Sequence, residues 1–227
     1  MWNDILTLFK SNSLIEQAWK EAVDMFKESH QMIEKSVSSL RKHSDTRIQT
    51  EMRTRDRDIN EHTMEVRRKV LIYLSSIPAN INLNQGLILL NVIIDIERIA
   101  DHAKNITDLV VYRDRSLNGN RLEKDIRRIE EGLYDIFTKT ETCLQSLKDV
   151  EKMTASDILQ EYHWINKSCK DCIERLTKGQ IEETNPGDAA SLVLYCVWLG
   201  RINAHLRNIL TIFVNPFDHI GFKPVDG

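Results

Sequence analysis

Between Asn91 and Val111 the chain reads NVIIDIERIADHAKNITDLVV. Apolar residues recur there at three- and four-residue intervals, which predicts a helix with an apolar stripe and one polar seam. The same period predicts five further long helices. The first opens at Ser13, which stands to Glu16 as in a capping box, and runs to about Lys42. The second spans roughly Thr46 to Ser75 and stops before Pro78. The third, carrying the stretch quoted, starts near Asn82 and reaches about Tyr112. Asn120 with Glu123 is read as the cap of a fourth, to about Lys152, and Thr154 with Asp157 as the cap of a fifth, to about Lys178. Asn185 as N-cap and Pro186 at the first helical position open the sixth, to about Val214. Ahead of them all, Trp2, Ile5, Leu6 and Phe9 give residues 2–9 an apolar face, suited to packing across the bundle end or to touching a membrane or partner.

The segment Asp114 to Asn120 breaks the pattern and is the expected boundary between domains, at 1–113 and 114–227. The halves repeat. Sliding the third helix forward by 103 positions lays Arg98 on Arg201, Ile99 on Ile202, His102 on His205, Asn105 on Asn208 and Ile106 on Ile209. The expected fold class is all-α, two tandem three-helix bundles of six long helices.

Composition narrows the function. Charged residues make up 29% and aromatics 7%, with few Gly and Pro, which favours long helices over sheets. A net charge of −3, with basic runs interleaved by acids, leaves no nucleic-acid footprint. Cys143, Cys169, Cys172 and Cys196 make no disulfide framework at this length. The CxxC of Cys169 and Cys172 lies within a helical pattern and reads as core packing rather than as a redox or zinc motif. No signal peptide is visible and the apolar runs are too short to span a bilayer, so a soluble, cytoplasmic protein is expected.

The chemistry concentrates on the seam of the third helix. Glu97 and Asp101 stand four residues apart, which is about 40° of rotation and about 6 Å of rise, so both carboxylates leave one side. Such a pair repels by a few tenths of a kcal/mol unless a cation lies between. The bland alternative is a solvated acidic face answered by Arg98 and Lys104. No histidine has a Glu three residues before it, and no HExxH, P-loop, GxSxG or dinucleotide fingerprint is present. An enzyme is therefore not expected, and a carboxylate-metal enzyme or metal-storage protein ranks well behind an interaction protein.

The run Glu97-Arg98-Ile99-Ala100-Asp101-His102, with Asn105 following, on the closing helix of a twice-repeated three-helix plan, resembles the PhoU family of phosphate-uptake regulators. The resemblance covers nearly the whole chain. It implies an E/D-xxx-D signature on two helices of each bundle, converging to hold metal. In the second helix the matching positions are Asp56 and Asn60, an amide in place of the second acid. The implied metal ligands are thus Glu97, Asp101, Asp56 and Asn60, a hard oxygen set. Iron, manganese, magnesium and zinc stay open as the ion. In the second half Gly200 and Ala204 replace Glu97 and Asp101, and Tyr162 and Asn166 replace Asp56 and Asn60, so that site is expected to be lost. The resemblance further implies a regulator or adaptor that binds phosphate-transporter components and a membrane sensor kinase, as a homodimer, reaching the membrane only through partners. An accessory of a sodium–phosphate symporter or other ion transporter is the alternative.

Overall fold

The computed structural model describes residues 14–42, 47–76, 83–146, 152–181 and 185–222. These form α1 (Leu14–Lys42), α2 (Arg47–Ser76), α3 (Asn84–Tyr112), α4 (Glu123–Gln145), α5 (Lys152–Glu161), α6 (Trp164–Thr177) and α7 (Pro186–Thr211), with no strand among the described residues. Helices α1–α3 pack as one bundle; α4, the α5–α6 pair and α7 pack as the second. The N-terminal segment and the Ser13 capping box fall outside the described residues.

The all-α, two-bundle fold is the expected one; its helix boundaries need four corrections. Asn120 is not an N-cap: it takes a left-handed φ of 49° in a short 3₁₀ turn, Asn120–Leu122, and α4 starts at Glu123. There the Glu123 carboxylate accepts the Gly119 N–H at 2.7 Å. Helix α4 also ends earlier than read, at Gln145. Thr154 caps nothing either, since it lies inside α5. The fifth expected helix is itself broken at Tyr162–His163 into α5 and α6. At the break the His163 N–H bonds the Gln160 carbonyl at 3.4 Å and its Nδ1 lies 2.6 Å from the same oxygen, while Arg207 donates to the Leu159 carbonyl at 2.5 Å. Side chains thus serve carbonyls that an unbroken ladder would serve, as at other helix kinks. Asn185 and Pro186 open α7 as read, the Asn185 Oδ1 accepting the Asp188 N–H at 2.9 Å.

Burial explains the differing patterns of the helices. Helix α3 buries Ile88, Leu89, Val92, Ile93, Ile96, Ile99, Ala100, Ala103 and Ile106, more than one face, because it meets α1, α2 and α7. Each fully buried Ile or Leu is worth about 1.5–3 kcal/mol of transfer free energy. Helix α2 buries one narrow seam only: Ile48, Met52, Asp56, Ile59, Thr63, Val66 and Val70, spaced by threes and fours. An acid on that seam is the anomaly of the first bundle.

The bundles meet through α3 against α7 and α1 against α4. His102 and His205, equivalent in the repeat, lie with ring centroids 5.6 Å apart. Burial, then His205 and Arg201, push His102 down to about 4, so it packs as a neutral ring. Phe137 of α4 lies 5.6 Å from Phe26 and stacks on His30 at 4.5 Å, and the Trp19 indole donates to the Leu144 carbonyl at 3.3 Å. Arg41 closes the junction. Its Nε donates to Glu130 at 2.8 Å and its Nη1 reaches both Glu123 and the Leu117 carbonyl at 3.0 Å; the Tyr195 hydroxyl donates to Glu130 at 2.5 Å.

All four cysteines are free and buried, so the CxxC is core packing here. Burial pushes the Cys143 thiol up to about 11 and Cys169 up to about 12, which suppresses the nucleophilic thiolate. Folded protein should therefore react with an aromatic disulfide reagent at least about tenfold more slowly than protein in guanidinium, where four thiols should titrate. Stoichiometric fast labelling of the folded chain would contradict this packing.

Candidate metal centre

Two hydrogen bonds fix the antiparallel register of α2 and α3. Gln49 donates to Asp108 at 2.7 Å near one end, and the Tyr73 hydroxyl donates to Gln85 at 3.1 Å near the other. Stepping between these rungs sets Asp56 across from Asp101 and Asn60 across from Glu97. On the seam between the helices Asp56 and Asp101 are joined through Lys104; Asn60 and Glu97 are half-buried on the same two helices, and Glu97 does not join the two acids in a three-acid cluster among the described residues.

On that seam the charges are answered by basic side chains. The Lys104 ammonium donates to Asp56 Oδ2 at 2.7 Å and to Asp101 Oδ1 at 2.8 Å. Burial pulls its pKa down, but the hydrogen bonds to Asp101 and Asp56 outweigh this and hold it above the ordinary lysine value. Arg98 reaches Asp101 at 3.2 Å and Glu97 at 3.6 Å. Asp56 is 8% exposed, and its other oxygen, Oδ1, is buried with no hydrogen-bond partner. Buried carboxylate oxygens seldom stay unpaired. Two carboxylates gathered on one cationic atom, with a lone pair to spare, are a donor set that fits a hard cation in place of the ammonium.

At the matching positions of the second bundle, Gly200, Ala204, Tyr162 and Asn166, no carboxylate stands. Gly200 faces Cys169 and Asn166 on α6: a side chain there would meet the Cys169 Cβ at 3.4 Å and the Asn166 Oδ1 at 3.8 Å. Tyr162 turns to α4, where its hydroxyl donates to Asp135 and accepts from Lys139 at 2.6 Å. Burial and that bond to Asp135 raise its pKa to about 12, so it is no anionic ligand at neutral pH.

A second cluster escaped the sequence. Glu21 of α1 and His62 and Glu65 of α2 bring three ligand atoms within 4.8 Å of one another. They line a groove of about 670 Å³ between α1 and α2, with Asp58 beside them. Glu21 lies 2.8 Å from His62 Nδ1 and 2.5 Å from Lys69 Nζ, and Lys69 is 2.9 Å from Glu65. The pair His62 and Glu65, three apart, was visible; its partner from another helix was not.

Two helical bundles, their closing helices in contact, thus carry one seam where Asp56 and Asp101 share the Lys104 ammonium. Residues 22–110 match the family model described as the PhoU domain. The match lies within the first bundle, α1 to α3. The chain's fold matches that of PhoU from Pseudomonas aeruginosa with a TM-score of 0.75, at 18% identity over 88% of this chain and 95% of that one. It matches the phosphate transport system regulatory protein PhoU from Streptococcus pneumoniae equally, with a TM-score of 0.75, at 13% identity over 88% of this chain and 93% of that one. No curated protein matches the chain.

Proposed function

We propose that this chain regulates phosphate uptake and the phosphate-starvation response as a non-catalytic adaptor. It acts by binding a component of a phosphate transporter and a membrane sensor kinase, from the cytoplasm and as a homodimer. The observation that carries the reading is the PhoU domain over residues 22–110, supported by a fold shared over 88% of the chain with two PhoU proteins. No helix among the described residues is long and apolar enough to cross a membrane, so membrane contact on this reading runs through partners.

In the same reading Asp56, Asn60, Glu97 and Asp101 hold a metal ion, with Lys104 withdrawn. Bound there, a hard cation would neutralise the acids and leave coordination positions to a phosphate or a partner's carboxylate. The chain's own contribution is to hold four oxygen donors on two rigid helices at a fixed register, so that partner binding and ion binding share a surface. The family model stops at 110, and no carboxylate stands at the matching positions of the second bundle. That one-sidedness favours, as the second reading, an accessory of a sodium–phosphate symporter. The 1–113 and 114–227 halves are proposed as separate domains.

Deleting the gene should raise phosphate uptake or phosphate-responsive gene expression in phosphate-replete cells, and the wild-type chain should restore both. A deletion strain with unchanged uptake and expression would refute the regulatory reading.

A further inference from the structure

Helix α7 keeps a cation where α3 has Lys104. The offset of 103 residues lays Lys104 on Arg207. In the first bundle that cation is answered by Asp56 and Asp101. In the second, their counterparts are Tyr162, committed to α4, and Ala204, which has no charge. The acids are gone and the base remains.

Arg207 is half-buried and forms no ion pair among the described residues. Its Nη1 is spent on the Leu159 carbonyl at 2.5 Å, which the break between α5 and α6 sets free. The rest of its five guanidinium donors have no protein partner there. Burial pulls its pKa below the ordinary arginine value, with no acid to offset it. A partly desolvated cation without a counter-charge is costly and is ordinarily matched by an anion.

Arg207 opens on a cavity of about 300 Å³, lined also by Asn166, Ala204, Asn208, Thr211 and Phe222. Ala204, in the place of Asp101, leaves room where the first bundle has a carboxylate. Asn166, in the place of Asn60, has its Oδ1 buried without a partner; turned over, the same amide presents a donor. The Gly221 N–H bonds the Thr211 hydroxyl at 2.8 Å and so holds the turn beside Phe222 over the cavity. Asp95, the acid beside Asn208, is turned to His205 at 2.7 Å and to Asn208 at 3.3 Å.

We infer that this cavity is an oxyanion site: Arg207 and Asn166 bind a small tetrahedral anion of the phosphate or sulfate class at the place where the first bundle gathers carboxylates. The guanidinium fork matches two oxygens of such an ion. The volume, at the small end for ligand pockets, admits an inorganic ion with its water rather than a nucleotide. This inference stands apart from the regulatory reading, since it rests on the cavity alone.

The test is calorimetric titration of the full chain with inorganic phosphate and with sulfate, in EDTA and at constant ionic strength set with chloride. One saturable site per chain is expected for either oxyanion. Affinity should fall at least about tenfold in Arg207→Gln, which loses the fork. It should fall likewise in Ala204→Asp, which sets an internal carboxylate beside Arg207. Lys35→Met, at a surface lysine of α1, should bind as the native chain does. Circular dichroism checks that each variant is folded, and Ala204→Asp decides if Arg207→Gln is not. No saturable binding to the native chain, binding unchanged in the folded Arg207 and Ala204 variants, or binding lost in Lys35→Met would overturn the inference.

Discussion

Arg41→Ala should destabilise the protein by about 3–5 kcal/mol, the range for breaking a buried ion pair from one side. At this chain length that lowers the melting temperature by about 10 °C. The Arg41 side chain is 10% exposed and that of Glu130 is 8%, so removing the guanidinium leaves a carboxylate that water barely reaches. Only the Tyr195 hydroxyl, 0% exposed, would still donate to it. Pairing the change with Glu130→Leu should recover a substantial part of the loss, since the stranded charge goes with it. Denaturant unfolding of the two variants checks this. A single variant within about 0.5 kcal/mol of native, the usual range for surface substitutions, would show that the Arg41 junction does not hold the bundles together.

Lys104→Met should make stability depend on metal. In EDTA the variant leaves Asp56 and Asp101 without their shared ammonium. A loss of about 1–3 kcal/mol is expected, below the fully buried case because all three side chains keep some solvent contact. With a divalent cation at about 100 times its dissociation constant, binding restores about 2.7 kcal/mol. The native chain should gain less, because its own ammonium competes for the oxygens. Thermal melts with EDTA and with Mn²⁺ compare the two. A variant that melts equally in both would show that the seam cannot exchange its lysine for an ion.

How far the site was legible follows from where each residue sits. Glu97 and Asp101 are local, four apart on one helix, so period alone aligned them. Asp56 carried a signal too: it interrupts a seam otherwise made of Ile48, Met52, Ile59, Val66 and Val70, with Thr63. Its pairing with Asp101 needed the α2–α3 register, set by Gln49–Asp108 and Tyr73–Gln85, which no single-helix pattern encodes. Lys104 was read as part of a solvated face; burial between two acids makes it the site's own cation. The Glu21–His62–Glu65 group joins two helices and was invisible for the same reason. The break at Tyr162–His163 has no Gly or Pro to announce it, and depends on Arg207 from another helix taking the Leu159 carbonyl. The other five expected helices, by contrast, followed from period, because each buries a face against its neighbours, although the caps read at Asn120 and Thr154 were not formed.

The most direct test of the metal-bearing first bundle is elemental analysis of three purified proteins after equilibration with iron, manganese, magnesium and zinc. These are the native chain, Glu97→Ala/Asp101→Ala, and a control changed at Tyr162 and Asn166. The native chain and the control should retain equal metal, and the Glu97/Asp101 variant should lose it while keeping its helical spectrum, since both side chains are only half-buried and Ala is a strong helix former. Metal that stays in the Glu97/Asp101 variant, or that leaves with the Tyr162/Asn166 control, would contradict the account.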